Sequence, residues 1–284
     1  MRLLFTILTL AVINISNAQN LQKKAEEIER EAYKIYRSER ASWLGTDIMR
    51  ERYSSGIPSN LRGYFSYATK GAVYCVFYAN DSIPKILLTI EFDTTFSDTK
   101  TIVADSAREF NEVEISYYRL RRVVDSILIN DTNFFSFYEN SNYNIVPIID
   151  ERSKRVYILT GTTQPGVILF GNDYLLSFDE DYKLTSKEKL HNTLISTPTH
   201  PEETDTSPVG GLHTHVPGKS EFMTATDIAT IMLYQPYTNW QTFTVVSQNY
   251  LSIWSCSSNR LTIITNKTLE KINKAEQSRK NNKK

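Results

Sequence analysis

A chain of 284 residues with 32 Lys+Arg against 32 Asp+Glu carries no formal net charge, so neither nucleic acid nor an acidic membrane surface is an expected partner. With 40% hydrophobic and 12% aromatic residues the chain can fill a core, which excludes a disordered protein. Two cysteines, Cys75 and Cys256, exclude a disulfide-built scaffold, and composition leaves open whether they pair or stay as buried thiols.

At the N-terminus a positive Met1-Arg2 precedes an apolar run over residues 3–13, and Ser16 and Ala18 put small side chains where a signal peptidase reads. The run is too short for a bilayer, which takes roughly 20 apolar residues. These features predict a signal peptide over residues 1–18 and an exported protein, periplasmic or secreted, with no membrane span after it. Richness in Asn, Lys, Ile and Tyr suits a bacterial, AT-rich genome.

Residues 21–43 predict an amphipathic helix, with Ala25, Ile28, Ala32, Ile35 and Tyr36 on one face. Residues 56–60 break it, and two β-rich runs, 72–78 and 85–92, read as a hairpin. A helix is expected over 105–129, where Phe110, Val113, Tyr117, Leu120, Val124 and Leu128 recur near 3.6 residues. Short strands follow at 144–149, 155–160, 167–170 and 174–178, punctuated by Gly161, Pro165-Gly166 and Gly171-Asn172-Asp173. Asp173, Asp179, Glu180 and Asp181 form an acidic patch without the ligand order of a calcium loop, and read as a turn with solvated charges. Pro198, Pro201 and Pro208 make 196–208 a loop. A strand at 212–216, a helix at 224–234 stopped before Pro236, and strands at 243–247, 251–256 and 261–265 close the pattern. The expected fold is α+β, a mixed or antiparallel sheet with flanking helices. Its parts are a helix-plus-hairpin region over 19–100, an α+β domain over 101–266 and a polar basic tail over 267–284.

Chemistry concentrates in the histidines. All four, His191, His200, His213 and His215, fall between residues 191 and 215. His213 and His215 are two apart in an expected strand, so both project from one face and can share a metal ion. Asp227, early in the next helix, can reach back to the strand end as a third ligand. Three protein ligands with a fourth position left to water is the coordination of catalytic zinc, which brings the water's pKa near 7. Thr224, three residues before Asp227, also fits a helix N-cap, and the two roles are compatible. His200 reads as an exposed loop residue and His191 as a capping or packing residue.

The stretch Gly211-Leu212-His213-Thr214-His215 and then Thr224-Ala225-Thr226-Asp227 resembles the metal motif of the JAMM (MPN-type) metallopeptidases, His-x-His in a strand and Ser-x-x-Asp opening a helix. The resemblance implies a JAMM-like core in the C-terminal two-thirds, with His213, His215 and Asp227 holding Zn2+. Thr224 would stand in for the serine that helps stabilise an oxyanion. It departs from the family in Val216 after the second histidine and in the eleven residues, 216–226, before Asp227, one more than usual. The family's upstream general-base glutamate has no clear counterpart; Glu139, before the strand at 144, is the nearest candidate. A cupin would need glycines where Ser207 and Ile228 stand. An amidohydrolase barrel carries its His-x-His on the first strand. The implied function is zinc-dependent amide or isopeptide hydrolysis outside the cytoplasm, on a peptide or cell-wall-derived substrate. The alternative is a non-catalytic exported binding protein that keeps the fold and the metal site.

Overall fold

The structure, a computed structural model, describes residues 2–79, 83–97, 100–199 and 210–281, with side chains from residue 18 onward. The chain divides into two compact units. A central unit comprises Tyr33–Thr199, and a terminal unit comprises Met1–Ala32 with His200–Lys284. The boundary expected near residue 100 falls inside the central unit. The first helix, α1 (Arg2–Arg52), supplies residues to both units and runs past the predicted 21–43 at each end. Among the described residues no helix is long and apolar enough to cross a membrane.

The central unit begins with an antiparallel sheet in the order β1 (Leu61–Ala68), β2 (Ala72–Ala79), β3 (Ile86–Asp93) and β4 (Ile102–Ala104). Strand β2 is apolar almost throughout because both of its faces are covered. Its period of two sends Val73, Cys75 and Phe77 into a core with Ala41 and Met49 of α1. Val76 and Tyr78 point the other way, into a core with Phe65 and with Tyr117 of α2 (Glu112–Asn130).

Helix α2 starts seven residues later than its periodicity predicts. Asn111 caps it, accepting from the Glu114 amide at 2.9 Å while Glu114 accepts from the Asn111 amide at 2.9 Å. Upstream, Arg108 is bridged to Ile86 as an extended segment, and its guanidinium holds the buried Glu114 at 2.7 Å, keeping that carboxyl below its ordinary range despite burial. Hydrophobic spacing cannot see a cap. Beneath α2 lies a second antiparallel sheet, ordered β5 (Ser141–Asp150), β6 (Ser153–Thr162), β8 (Tyr174–Phe178) and β9 (Leu184–Lys189). Leu120, Val124, Val156, Ile158, Tyr174 and Leu176 form the core between them.

Strand β7 (Val167–Gly171) pairs with β10 (Leu194–Pro198), which corrects the expected loop at 196–208: Ser196 to Pro198 are strand. Pro198 ends a strand of a two-stranded ribbon, where a missing N–H is tolerated. Residues 200–209 lie outside the described residues, His200 among them. Gly161 sits inside β6 rather than at a turn. Cys75 is buried and Cys256 half-buried, both as free thiols. Burial pushes their pKa values up to about 12 and about 11, so neither is a ready nucleophile.

The terminal unit holds a mixed sheet in the order β11 (Gly210–Thr214), β12 (Thr242–Val246), β13 (Tyr250–Ser255) and β14 (Arg260–Thr265). Strands β11 and β12 are parallel, and α3 (Ala225–Tyr234) supplies the crossover that a parallel pair requires. Helix α3 buries Ile228, Ala229, Ile231, Met232 and Leu233, so it is apolar nearly all round and its first turn is fixed in place. A polar helix, α4 (Asn266–Asn281), ends the unit.

Candidate metal centre

Strand β11 is short and begins with two glycines because it approaches β12 closely. A Cβ on Gly211 would lie 2.2 Å from a ring carbon of Phe243, and one on Gly210 would lie 2.5 Å from the Thr242 carbonyl oxygen. The glycines are therefore part of the strand, which starts two residues before the expected 212. The register pairs His213 with Val245, and the His215 amide adds one more ladder bond to the Val246 carbonyl at 2.9 Å. Two-residue spacing then does what the sequence predicts: both imidazoles stand on one side, with ring centroids 5.2 Å apart, while Leu212 faces outward.

The donor atoms converge. His213 Nε2 lies 3.2 Å from His215 Nε2. Asp227 presents Oδ1 at 3.5 Å from His213 Nε2 and Oδ2 at 3.4 Å from His215 Nε2. Ligands bound at about 2.0–2.1 Å around a tetrahedral zinc stand about 3.3 Å from one another. The two imidazole nitrogens and the Asp227 carboxylate are close enough to hold one small metal ion between them. His213, His215 and Asp227 are exposed by only 7%, 8% and 1%, so little water competes for them.

Neighbouring groups fix the orientation of these side chains. His215 Nδ1 faces the Ser220 carbonyl at 3.0 Å. A carbonyl can only accept, so Nδ1 carries a proton there, and Nε2 is the ring atom turned toward Asp227. Ser220 is held in turn by its hydroxyl, which donates to Phe222 O at 2.7 Å and accepts from the Phe222 amide at 3.2 Å. Glu221 ties this loop to the β12–β13 turn, accepting from Ser247 Oγ at 3.1 Å and Asn249 Nδ2 at 3.2 Å. Met223 donates its amide to the buried Ser252 Oγ at 3.2 Å. Residue spacing carries no sign of these supports, because a ring held by a main-chain carbonyl leaves no side-chain signature.

Thr224 is the N-cap of α3 and completes a capping box with Asp227. Its hydroxyl donates to Asp227 Oδ2 at 2.7 Å and accepts from the Asp227 amide at 3.1 Å. Its own amide donates to the same Oδ2 at 2.8 Å. Two donors on Oδ2 set the rotation of the carboxylate. His213, His215, Asp227 and Thr224 are thus brought together in the terminal unit. Glu139 belongs to the central unit, where it is exposed in the turn before β5.

His191 is also in the central unit, its Nδ1 3.4 Å from Asp173 Oδ2. Asp173 departs from the expected solvated patch: it is buried and accepts from the Thr160 amide at 3.1 Å. No protein-family model, no curated protein and no solved structure matches this chain.

Proposed function

We propose that the terminal unit is a zinc-dependent amide or isopeptide hydrolase of the JAMM type, exported from the cytoplasm and acting on a peptide or cell-wall-derived substrate. The observation that carries the reading is the convergence of His213, His215 and Asp227 at a strand end and a capped helix start: the two Nε2 atoms lie 3.2 Å apart, and Asp227 faces that of His213 with Oδ1 at 3.5 Å and that of His215 with Oδ2 at 3.4 Å. Bound zinc supplies Lewis acidity and a route to acidified water, the chemistry amide hydrolysis needs. The chain's own residues do the positioning. The Ser220 carbonyl holds the His215 tautomer, Thr224 sets the Asp227 carboxylate, and Phe243, with its ring centroid 5.5 Å from that of His213, covers the apolar side.

A second reading has its own support. Within the terminal unit the Glu221 carboxylate is occupied by Ser247 and Asn249, and the Thr224 hydroxyl is committed to Asp227. Neither is poised as general base or oxyanion donor, which favours a non-catalytic exported protein that keeps the metal. Elemental analysis of the purified protein, before and after chelation, separates the readings when combined with release of amine from amide- and isopeptide-linked peptides. One zinc per chain, lost in His213→Ala together with hydrolysis, is the expected result. Stoichiometric zinc without hydrolysis selects the second reading, and a folded protein that takes up no zinc refutes both.

A further inference from the structure

In the central unit a cleft of about 580 Å³ opens between β1–β2, the C-terminal half of α2 and the start of β5. That is the size of a small-ligand site. At its edge β1 carries a bulge: Leu61 pairs with Ala79 and Gly63 with Tyr78, leaving Arg62 as the extra residue. Bulges re-aim side chains, and this one places Arg62 beside Tyr78 in the cleft lining. Gly63 makes room there, since a Cβ at that position would lie 2.8 Å from the Tyr78 hydroxyl.

Tyr78 is 1% exposed, yet among the described residues its hydroxyl has no hydrogen-bond partner. The ring is buried while the hydroxyl itself keeps contact with the cleft, where a ligand can accept its hydrogen bond in place of water. Arg62 forms no ion pair among the described residues. The other arginine of the cleft is already committed, with Arg121 Nε donating to Asp125 Oδ1 at 3.2 Å. One cation is therefore left to be matched, which suits a single negative charge rather than a phosphate.

Part of the lining is apolar and open. Phe137 is 65% exposed and Ile129 71%, and the Phe137 ring sits 4.6 Å from that of Tyr143. Asn142, at the rim, has a free amide that can both donate and accept. A carboxylate, an adjacent amide and an apolar side chain occur together at the C-terminal residue of a peptide.

We infer that this cleft binds the C-terminal residue of a peptide, its carboxylate on Arg62 and the Tyr78 hydroxyl, its amide at Asn142 and its apolar side chain against Phe137 and Tyr143. The site belongs to the central unit and is independent of the metal ligands. Calorimetric titration of the full chain with N-acetylphenylalanine tests it, alongside N-acetylphenylalaninamide and 3-phenylpropionate. N-acetylphenylalanine is expected to saturate one site with a Kd of about 1 mM or lower. The amide, which lacks the charge, should bind at least tenfold more weakly. Arg62→Gln should weaken binding about tenfold or more and Tyr78→Phe about fivefold, both with unchanged thermal unfolding, because Tyr78→Phe keeps the buried ring. Absence of saturable binding, equal binding of acid and amide, or indifference to both substitutions overturns the site. Equal binding of 3-phenylpropionate overturns the peptide assignment.

Discussion

Thr224 gives the sharpest test of the proposed metal centre. Thr224→Val keeps the side chain's shape and deletes the hydroxyl, removing the 2.7 Å bond to Asp227 Oδ2 and the 3.1 Å bond from the Asp227 amide. Losing an N-cap costs about 1 kcal/mol, and a bond to a buried carboxylate is worth about 1.5–3 kcal/mol. Because the Thr224 amide still holds Oδ2 at 2.8 Å, the metal-free protein should lose about 2 kcal/mol rather than the full sum. The Asp227 carboxylate would then be free to rotate, and loss of such a supporting contact typically weakens metal binding about 10- to 100-fold. Thr224→Ser restores both bonds and should bind zinc within about threefold of the parent. Urea unfolding of the metal-free proteins gives the first quantity, and competition with a chromophoric chelator gives the second. If Thr224→Val holds zinc within about twofold of the parent, or if Ser fails as badly as Val, the hydroxyl does not position the ligand.

Two other predictions concern stability. Burial holds the Glu39 carboxyl up at about 7 against an ordinary 4.5, although the Trp43 indole N–H at 2.8 Å and nearby Arg121 pull it down. The folded state thus keeps a proton that the unfolded chain releases, so this contribution is complete below about pH 4.5 and is lost as pH rises through about 7, some 3 kcal/mol in all. Urea midpoints from pH 4.5 to 8 should fall in the parent and flatten in Glu39→Gln; equal slopes would refute the assignment. Gly211→Ala places a Cβ 2.2 Å from the Phe243 ring and should cost about 1–3 kcal/mol while displacing His213. Unchanged unfolding together with unchanged zinc affinity would show that β11 can move away from β12 freely.

The elements that periodicity expressed well appear in the structure with small shifts. Strand β8 falls on 174–178, and α3 begins one residue after the expected start because Thr224 is its cap. Two of the strands that spacing does not predict lack that signal. Strand β9 is Leu-Thr-Ser-Lys-Glu-Lys and mostly exposed, held by backbone pairing to β8 alone, and β4 is three exposed residues on β3. Where a local side-chain bond outweighs hydrophobic spacing, as at Asn111 and Glu114, the boundary moves.

The same division runs through the site. That His213 and His215 share a strand face and that Asp227 lies in the next helix's first turn was legible because these are local geometry, set by neighbours in the chain. What local geometry cannot supply is the 3.2–3.5 Å convergence of their donor atoms, which depends on β11 lying parallel to β12 with α3 packed as the crossover. Tertiary structure also decided the His215 tautomer through a main-chain carbonyl, and it put Glu139 in the turn of a different unit. Sequence by itself thus determined which side chains can act as ligands, since that is a matter of residue type and local repeat. Only packing over long chain separations decided where they point, what holds them, and which charges stand beside them.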